Sequence, residues 1–163
     1  AVSLAFKDTI GDVGVKSAVG YYKEGSVGGG TVQGQTNGYA GLRLAYQGWD
    51  VGYAYGRFMQ PMSTEGAAAD VSADGHTHGA GISYKSGPWK VGVWHLRHEN
   101  EGLVTNAAQD KTRVTAVHGQ YQLSDGVLMQ GMVFNADYDE ESGVDANQQD
   151  GGWGVVTGVK LSF

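Results

Sequence analysis

The clearest pattern in the chain is the segment Trp153-Gly154-Val155-Val156-Thr157-Gly158-Val159-Lys160-Leu161-Ser162-Phe163. Its odd-numbered positions are aromatic or β-branched or leucine, whereas its even-numbered positions, apart from Val156, are glycine, lysine or serine. Because successive side chains of a β-strand point to opposite faces, this alternation predicts a strand with one apolar face and one small, polar face. A single half-buried strand is equally typical of a soluble protein, so the rest of the chain must decide.

The same period of two recurs through the whole chain, and no segment shows the 3.6-residue period of a helix. It predicts a partial strand over 1–7 and further strands at about 12–23, 37–47, 49–58, 75–85, 89–98, 111–123 and 127–138. In the strand at 127–138 two alternations compete, because Met129 and Val133 share one parity whereas Met132 and Phe134 share the other. The pattern predicts an all-β, antiparallel protein in which residues 1–163 form one domain.

The connections between these strands alternate in length. Short turns are predicted near 9–11, 47–48, 86–88 and 124–126, and long polar loops at about 24–36, 59–74, 99–110 and 137–149. Outer-membrane β-barrels alternate in this way, with tight periplasmic turns and long extracellular loops. The predicted strands also carry aromatic residues beside the short turns, where a barrel has its aromatic girdle: Tyr46, Trp49, Tyr84, Trp89 and Tyr121.

Composition favours the same class. The 163 residues include 28 Gly but only 2 Pro and no Cys, and the Gly are interleaved with Val, Tyr and Trp, unlike those of a disordered chain. No run of apolar residues is long enough for a transmembrane helix, whereas a barrel strand needs only about 9–11 alternating residues. The net charge of −6 argues against a nucleic-acid partner. We therefore expect a transmembrane β-barrel of eight or nine strands.

The ionisable residues separate by position. One parity of the predicted strands, which would face the lumen, carries most of the basic residues and one clear acid: Lys16, Arg43, Asp50, Lys85, Lys90 and Lys160. In a confined aqueous channel such a basic wall favours anions. Most acids fall in the predicted loops, where they are solvated or bind divalent cations that bridge them to lipopolysaccharide phosphates.

Catalytic and metal sites find little support in the sequence. Pairing Tyr84 with Trp89 would set His78 opposite His95, a two-histidine arrangement that also fits polar residues at a barrel rim, so we predict no metal site. Neither Ser83 nor Ser124 has a histidine nearby in the sequence, which a serine nucleophile would need. The sequence predicts no enzyme and no cofactor.

The terminal segment Gly154–Phe163 resembles the C-terminal strand of Gram-negative outer-membrane proteins, which ends in Phe with apolar residues at every second position before it. The segments 80–93 and 118–127 more narrowly resemble hairpins of the Gram-negative general porin family. The resemblance implies passive diffusion of small hydrophilic solutes and ions across the outer membrane, a homotrimer, contact with the lipid bilayer and lipopolysaccharide, and recognition of Phe163 by the barrel-assembly machinery.

The chain departs from that family in length, since its porins have sixteen strands and about twice as many residues. One interpretation is that the chain corresponds to the C-terminal half of such a porin. The other is a small closed barrel, with eight strands over 12–163 after a lead-in at 1–7, that acts as a structural, adhesion or binding module through its loops. A barrel of eight strands is filled by its own side chains, whereas sixteen leave an aqueous channel.

Overall fold

A computed structural model describes residues 1–23, 36–59, 61–62, 71–72, 74–100, 109–139 and 149–162. These residues form strands and turns, and no helix among them is long and apolar enough to cross a membrane. The strands are β1 (Val2–Ile10), β2 (Val13–Lys23), β3 (Thr36–Tyr46), β4 (Trp49–Met59), β5 (Pro61–Met62), β6 (Val71–Ser72), β7 (Gly75–Ser86), β8 (Trp89–Asn100), β9 (Asp110–Ser124), β10 (Val127–Asp139) and β11 (Gln149–Leu161).

Nine of these strands form one antiparallel sheet in the order β1-β2-β3-β4-β7-β8-β9-β10-β11, and β5 pairs separately with β6. The all-β, antiparallel prediction is therefore confirmed. Two details differ from the sequence prediction: β1 is a full strand of nine residues rather than a partial strand over 1–7, and the β5–β6 hairpin lies within the predicted loop 59–74.

Two-residue turns close the four hairpins at one end of the sheet, because Ile10 pairs with Val13, Tyr46 with Trp49, Ser86 with Trp89 and Ser124 with Val127. Gln47 and Gly48 both have positive φ, 46° and 86°, which is the type I′ geometry that matches the twist of antiparallel strands. Gly87 has φ 55° just before Pro88, as the first position of a type II′ turn requires. Turn chemistry thus fixes the register of these two hairpins, whereas the β9–β10 hairpin has a register shift between Val127 and Leu128.

The sheet has two chemically different faces. We call outward the face that carries an unbroken cross-strand row of aliphatic residues: Val51, Ile82, Val93, Val117, Val133 and Val155. Its side chains are exposed, with Trp153 77%, Val117 60% and Val159 60% accessible, and Ala116 is the one buried apolar side chain among the described residues. A soluble sandwich buries an apolar core between two sheets, whereas the described strands bury no such core.

The opposite face, which we call inner, is concave. Residues from six adjacent strands, β1 to β8 of the large sheet, line one cavity of about 600 Å³ on it. The ambiguity in β10 is resolved by its neighbours: Met129 pairs with Tyr121 and Val159 on the outward face, so Met132 and Phe134 lie on the inner face. The outward parity predicted for Trp153 to Leu161 agrees with these pairs.

Candidate functional site

The inner face brings together all six residues that the sequence predicts to line the lumen. Lys16 pairs with Arg43, Asp50 with Ser83, Lys85 with Lys90, and Lys160 with Leu128, so all six share one face. They lie in the half of the sheet nearest the short turns. A further basic residue, Lys7, lies opposite Lys16 on the same face. The sequence prediction missed Lys7 because it treated 1–7 as a partial strand and gave it no face.

Two pairs of lysines face each other across neighbouring strands, Lys7 with Lys16 and Lys85 with Lys90. Like charges directly opposite each other in a sheet are destabilising, because their side chains share one short cross-strand distance. Six cations and a single acid, Asp50, occupy this half of the inner face. Such an arrangement produces a positive potential that attracts small anions.

Arg43 and Asp50 form an ion pair across the β3–β4 hairpin. Nε of Arg43 donates to Oδ1 of Asp50 at 2.6 Å, and a second bond joins Nη2 to Oδ2. The bidentate geometry holds the guanidinium in place and cancels most of its field at a distance. Asp50 is also within electrostatic reach of Lys90 and Lys16. The unpaired lysines, rather than Arg43, therefore dominate the potential of the inner face.

Rings on the inner face lie over glycines of the neighbouring strand. A Cβ built on Gly154 would lie 2.5 Å from Cζ of Phe134, and one on Gly20 would lie 2.3 Å from Cζ of Tyr39. Phe58 covers Gly75 and His118 covers Gly92 in the same way. In each case the glycine is the direct cross-strand partner of the ring. Laying a ring flat on a glycine stabilises the strand pair and keeps the ring close to the wall.

His118 lies on the inner face, directly opposite Gly92. Its ring lies over Gly92, and its Nδ1 is buried without a hydrogen-bond partner among the described residues. A Cβ on Gly92 would lie 2.6 Å from Cε1 of His118 and 2.7 Å from Cβ of Ser83, so Ser83 has a histidine neighbour that the sequence did not reveal. The hydrogen bond that would activate a serine nucleophile is absent from the described contacts of this pair.

A band of alternating charges crosses the outward face at the end opposite the short turns. One cross-strand row there consists of Arg57, His76, Glu99, Lys111 and Asp139. Nε2 of His76 lies 3.0 Å from Oε2 of Glu99, which Arg97 also binds, and Nη1 of Arg113 lies 3.1 Å from Oδ2 of Asp139. Glu99 and Asp139 are thus ion-paired at strand ends rather than free in loops.

The register of the β7–β8 hairpin corrects the predicted histidine pairing. His78 lies opposite Arg97, and His95 lies opposite Ala80, because the two-residue turn pairs Tyr84 with Val91 rather than with Trp89. Nδ1 of His95 is hydrogen-bonded to Thr115 at 2.8 Å, and Nδ1 of His78 to the Tyr53 hydroxyl at 2.7 Å. Within the described segments no group of three or more His, Asp or Glu side chains is placed to hold a metal ion.

Aromatic residues flank the short turns on the outward face, as the sequence predicts. The ring centroids of Trp49 and Tyr84 are 4.7 Å apart, and those of Trp89 and Tyr121 are 4.3 Å apart. Tyr46 is the direct partner of Trp49. Between this row and the charged band, the outward face carries no polar side chain over about five residues of each strand from β7 to β10, or about 17 Å of strand length, and His95, Thr115 and Asn135 lie just beyond.

Phe163 and most of the predicted loops, namely residues 24–35, 60, 63–70, 73, 101–108 and 140–148, lie outside the described residues. The predictions made for them stay predictions. Comparison of the chain with models of known families, with curated proteins and with solved structures found no match.

Proposed function

We propose that this chain forms the wall of an outer-membrane porin, through which small hydrophilic solutes and ions diffuse passively, with a weak preference for anions. One observation carries the proposal: the large sheet exposes a cross-strand aliphatic row on one face and carries five of the seven lysines, together with Arg43, on the other. In water, a continuous apolar surface of this extent would aggregate. In a bilayer the same surface is solvated by lipid, and the lysines face an aqueous lumen.

The limits of the apolar surface support a membrane location. An aromatic row near the short turns and a charged band at the other end border it, in the order expected for a barrel wall between two headgroup regions. The charged band would meet the phosphates of lipopolysaccharide. Asp139 and Glu99 already bind arginines, so divalent cations would act through other acids of the loops.

The direction of the edge strands supports a barrel larger than nine strands. β1 and β11 both run from the long-loop end to the short-turn end, because an even number of antiparallel steps separates them. Direct pairing of β1 with β11 would be parallel, and neither edge can stay unpaired within a bilayer. An odd number of further strands between them gives a wholly antiparallel barrel. The sixteen strands of the general porin family would supply seven, and that family also suggests a trimer.

Conductance tests the proposal. The protein, refolded in detergent and added to a planar bilayer under a salt gradient, should give stable current steps and a reversal potential of the sign expected for anion preference. A protein that inserts into the bilayer and passes no current would contradict the porin function and favour a closed barrel that acts through its loops. Strong cation selectivity would contradict the role given to the lysines.

A further inference from the structure

The inner face carries a cavity whose two sides differ in chemistry. Its volume is about 600 Å³, and one cross-strand row runs through it from Lys7, Lys16 and Arg43 to Gly52, Gly81 and Trp94. Three cations thus lie at one side and an indole at the other. Arg43 and Trp94 are three strand spacings apart, about 14 Å along the sheet, and the curvature of the sheet shortens the direct distance.

Packing against Trp94 explains one glycine of the floor between them, because a Cβ on Gly81 would lie 3.0 Å from Cβ of Trp94, but it does not explain the others. Gly20, Gly92 and Gly154 are each covered by a ring, so a larger residue there would clash. In contrast, a Cβ on Gly52 would meet nothing closer than the Leu42 carbonyl oxygen at 3.7 Å, and a Cβ on Gly79 would meet nothing within 4 Å. Glycine within a strand weakens it and often marks a place where a ligand approaches the backbone closely.

Trp94 is placed unlike the other tryptophans. Trp49, Trp89 and Trp153 lie on the outward face, where an amphipathic ring suits the membrane interface. Trp94 is the inward-facing tryptophan of the described strands and borders the cavity together with Leu96. The cavity beside the aqueous lumen therefore has a large apolar ring at one side and cations at the other, with an unobstructed floor between them. This arrangement matches a ligand with a flat apolar body and a negative end.

We propose that this cavity binds organic anions with a planar apolar body, of the aromatic carboxylate class. The ring of the ligand lies over Gly52 and Gly81 against Trp94, and its carboxylate lies toward Lys16 and Lys7. Lys16 supplies most of the attraction because Arg43 is already bound to Asp50. The inference deepens the proposed porin function by naming a solute class that the wall would retain during passage.

Calorimetric titration of the refolded protein in detergent micelles with 2-naphthoate tests the site, with empty micelles as the blank. Acetate carries the charge without the rings, and 2-naphthol carries the rings without the charge. Naphthoate should bind saturably and at least about tenfold more tightly than either, a difference of about 1.4 kcal/mol. Binding should weaken as salt is added, because the attraction is partly Coulombic.

Three variants locate the site. Trp94→Ala removes the ring, Lys16→Gln removes the charge, and Gly52→Leu fills the floor at a position where a Cβ would meet nothing closer than 3.7 Å. Each should weaken naphthoate binding severalfold. Lys111→Gln and Trp153→Phe, which change the same residue types on the outward face, should bind as the unaltered protein does. Circular dichroism and the thermal midpoint of each variant show that it is folded. If Trp94→Ala fails to refold, Gly52→Leu tests the same site without removing the ring.

The bilayer experiment separates this inference from the proposed function. A protein that binds naphthoate and passes no current overturns the porin function and leaves the binding site standing. A protein that conducts and binds naphthoate no better than acetate overturns the binding site alone. Unchanged affinity in Gly52→Leu also overturns it, since an occupied floor leaves no room for the rings.

Discussion

At the scale of single residues, the function proposed here depends on which lysines are free of partners. Lys90 lies on the inner face opposite Gln120 and Lys85, whereas the guanidinium of Arg43 is held by Asp50. Charge reversal at Lys90 therefore acts on a cation without an acidic partner among the described residues, whereas the same change at Arg43 also breaks an ion pair. The effect remains local, because the Debye length at physiological salt is about 8 Å.

We predict that Lys90→Glu moves the reversal potential under a salt gradient toward cation preference. Arg43→Glu should move it in the same direction, because it also lowers the charge of the lumen by two units, and it leaves two acids side by side. Asp50→Asn should increase anion preference because it releases the Arg43 charge. Lys111→Glu, on the outward face, is the control. An Asp50→Asn channel with unaltered or lower anion preference would refute the placement of this ion pair in the conducting lumen.

Adjacent residues of β11 allow a direct test of the lipid-facing assignment. Val155 lies on the outward face beside Val133 in the central aliphatic row, and Val156 lies on the inner face and is 54% exposed. Val155→Lys should lower the free energy of unfolding in lipid vesicles by about 2–4 kcal/mol, the cost of a lysine in the middle of the bilayer. Val156→Lys should cost much less. The comparison is made by guanidinium unfolding, and equal stability of the two variants would argue against lipid on the outward face.

At the scale of strands and hairpins, the ring-over-glycine pairs couple neighbouring strands. Gly154→Val should clash with the Phe134 ring and lower the free energy of unfolding by about 1–3 kcal/mol, the usual cost of overpacking. Gly152→Val, on the same strand and face but with nothing within 4 Å of its Cβ, is the matched control. Adding Phe134→Ala should restore part of the loss in Gly154→Val. Additive losses in the double variant would mean that the two residues do not interact.

Much of this level of structure was predictable from the sequence. Alternation identified the strands and their faces, because a strand buried or lipid-exposed on one side needs period-two apolarity, and short turns appeared as Gly-containing pairs. The register was harder. A period of two leaves slips of two residues undecided, so alternation alone allows His78 to lie opposite His95, whereas the two-residue Gly87–Pro88 turn places it opposite Arg97. Which residues of β10 lie on the outward face is decided by its pairing with β9 and β11, and the sequence of β10 alone does not show this pairing.

The candidate site was predictable as a set of charges but not as contacts. The shared parity of Lys16, Arg43 and Lys90 follows from the sequence alone. The Arg43–Asp50 pair follows once the two-residue turn at Gln47–Gly48 is known, since the two residues then become diagonal neighbours. The cavity beside Trp94 could not be foreseen, because it arises from the curvature of six strands and from residues far apart in sequence.

The C-terminal strand carries a prediction about assembly. Deletion of Phe163, or Phe163→Asp, should reduce the amount of protein inserted into the outer membrane far more than deletion of the loop segment 139–146. The reason is that the terminal strand with its final apolar ring would be the feature that the barrel-assembly machinery recognises. Quantification of heat-modifiable protein in outer-membrane fractions compares the variants, and equal yields would contradict this role.

At the scale of the whole molecule, β1 and β11 are the two edge strands of the large sheet, and within a bilayer each needs a hydrogen-bonding partner. The two strands run in the same direction, so they can meet only as a parallel pair, unless further strands lie between them. The chain contains no cysteine, which makes disulfide cross-linking a clean probe. A disulfide needs Cα atoms about 4.4–6.8 Å apart, a distance that neighbouring strands reach and separated strands do not.

We predict that neither Ser3→Cys nor Ala5→Cys, combined in turn with Gly152→Cys, Val156→Cys or Lys160→Cys, gives a disulfide within one chain of the folded protein. All five positions share the inner face, and because Ser3 and Ala5 are two residues apart while the β11 positions are four apart, one pair would be in register in a directly closed sheet for any stagger that sets β1 against residues 152–160. Ala18→Cys with Gly41→Cys, which are direct partners in β2 and β3, is the positive control and should cross-link under mild oxidation. A disulfide from Ser3→Cys or Ala5→Cys to any of the β11 positions would demonstrate a nine-stranded barrel with one parallel seam. Its lumen would be too narrow for the porin function, because only a wider barrel leaves an aqueous channel.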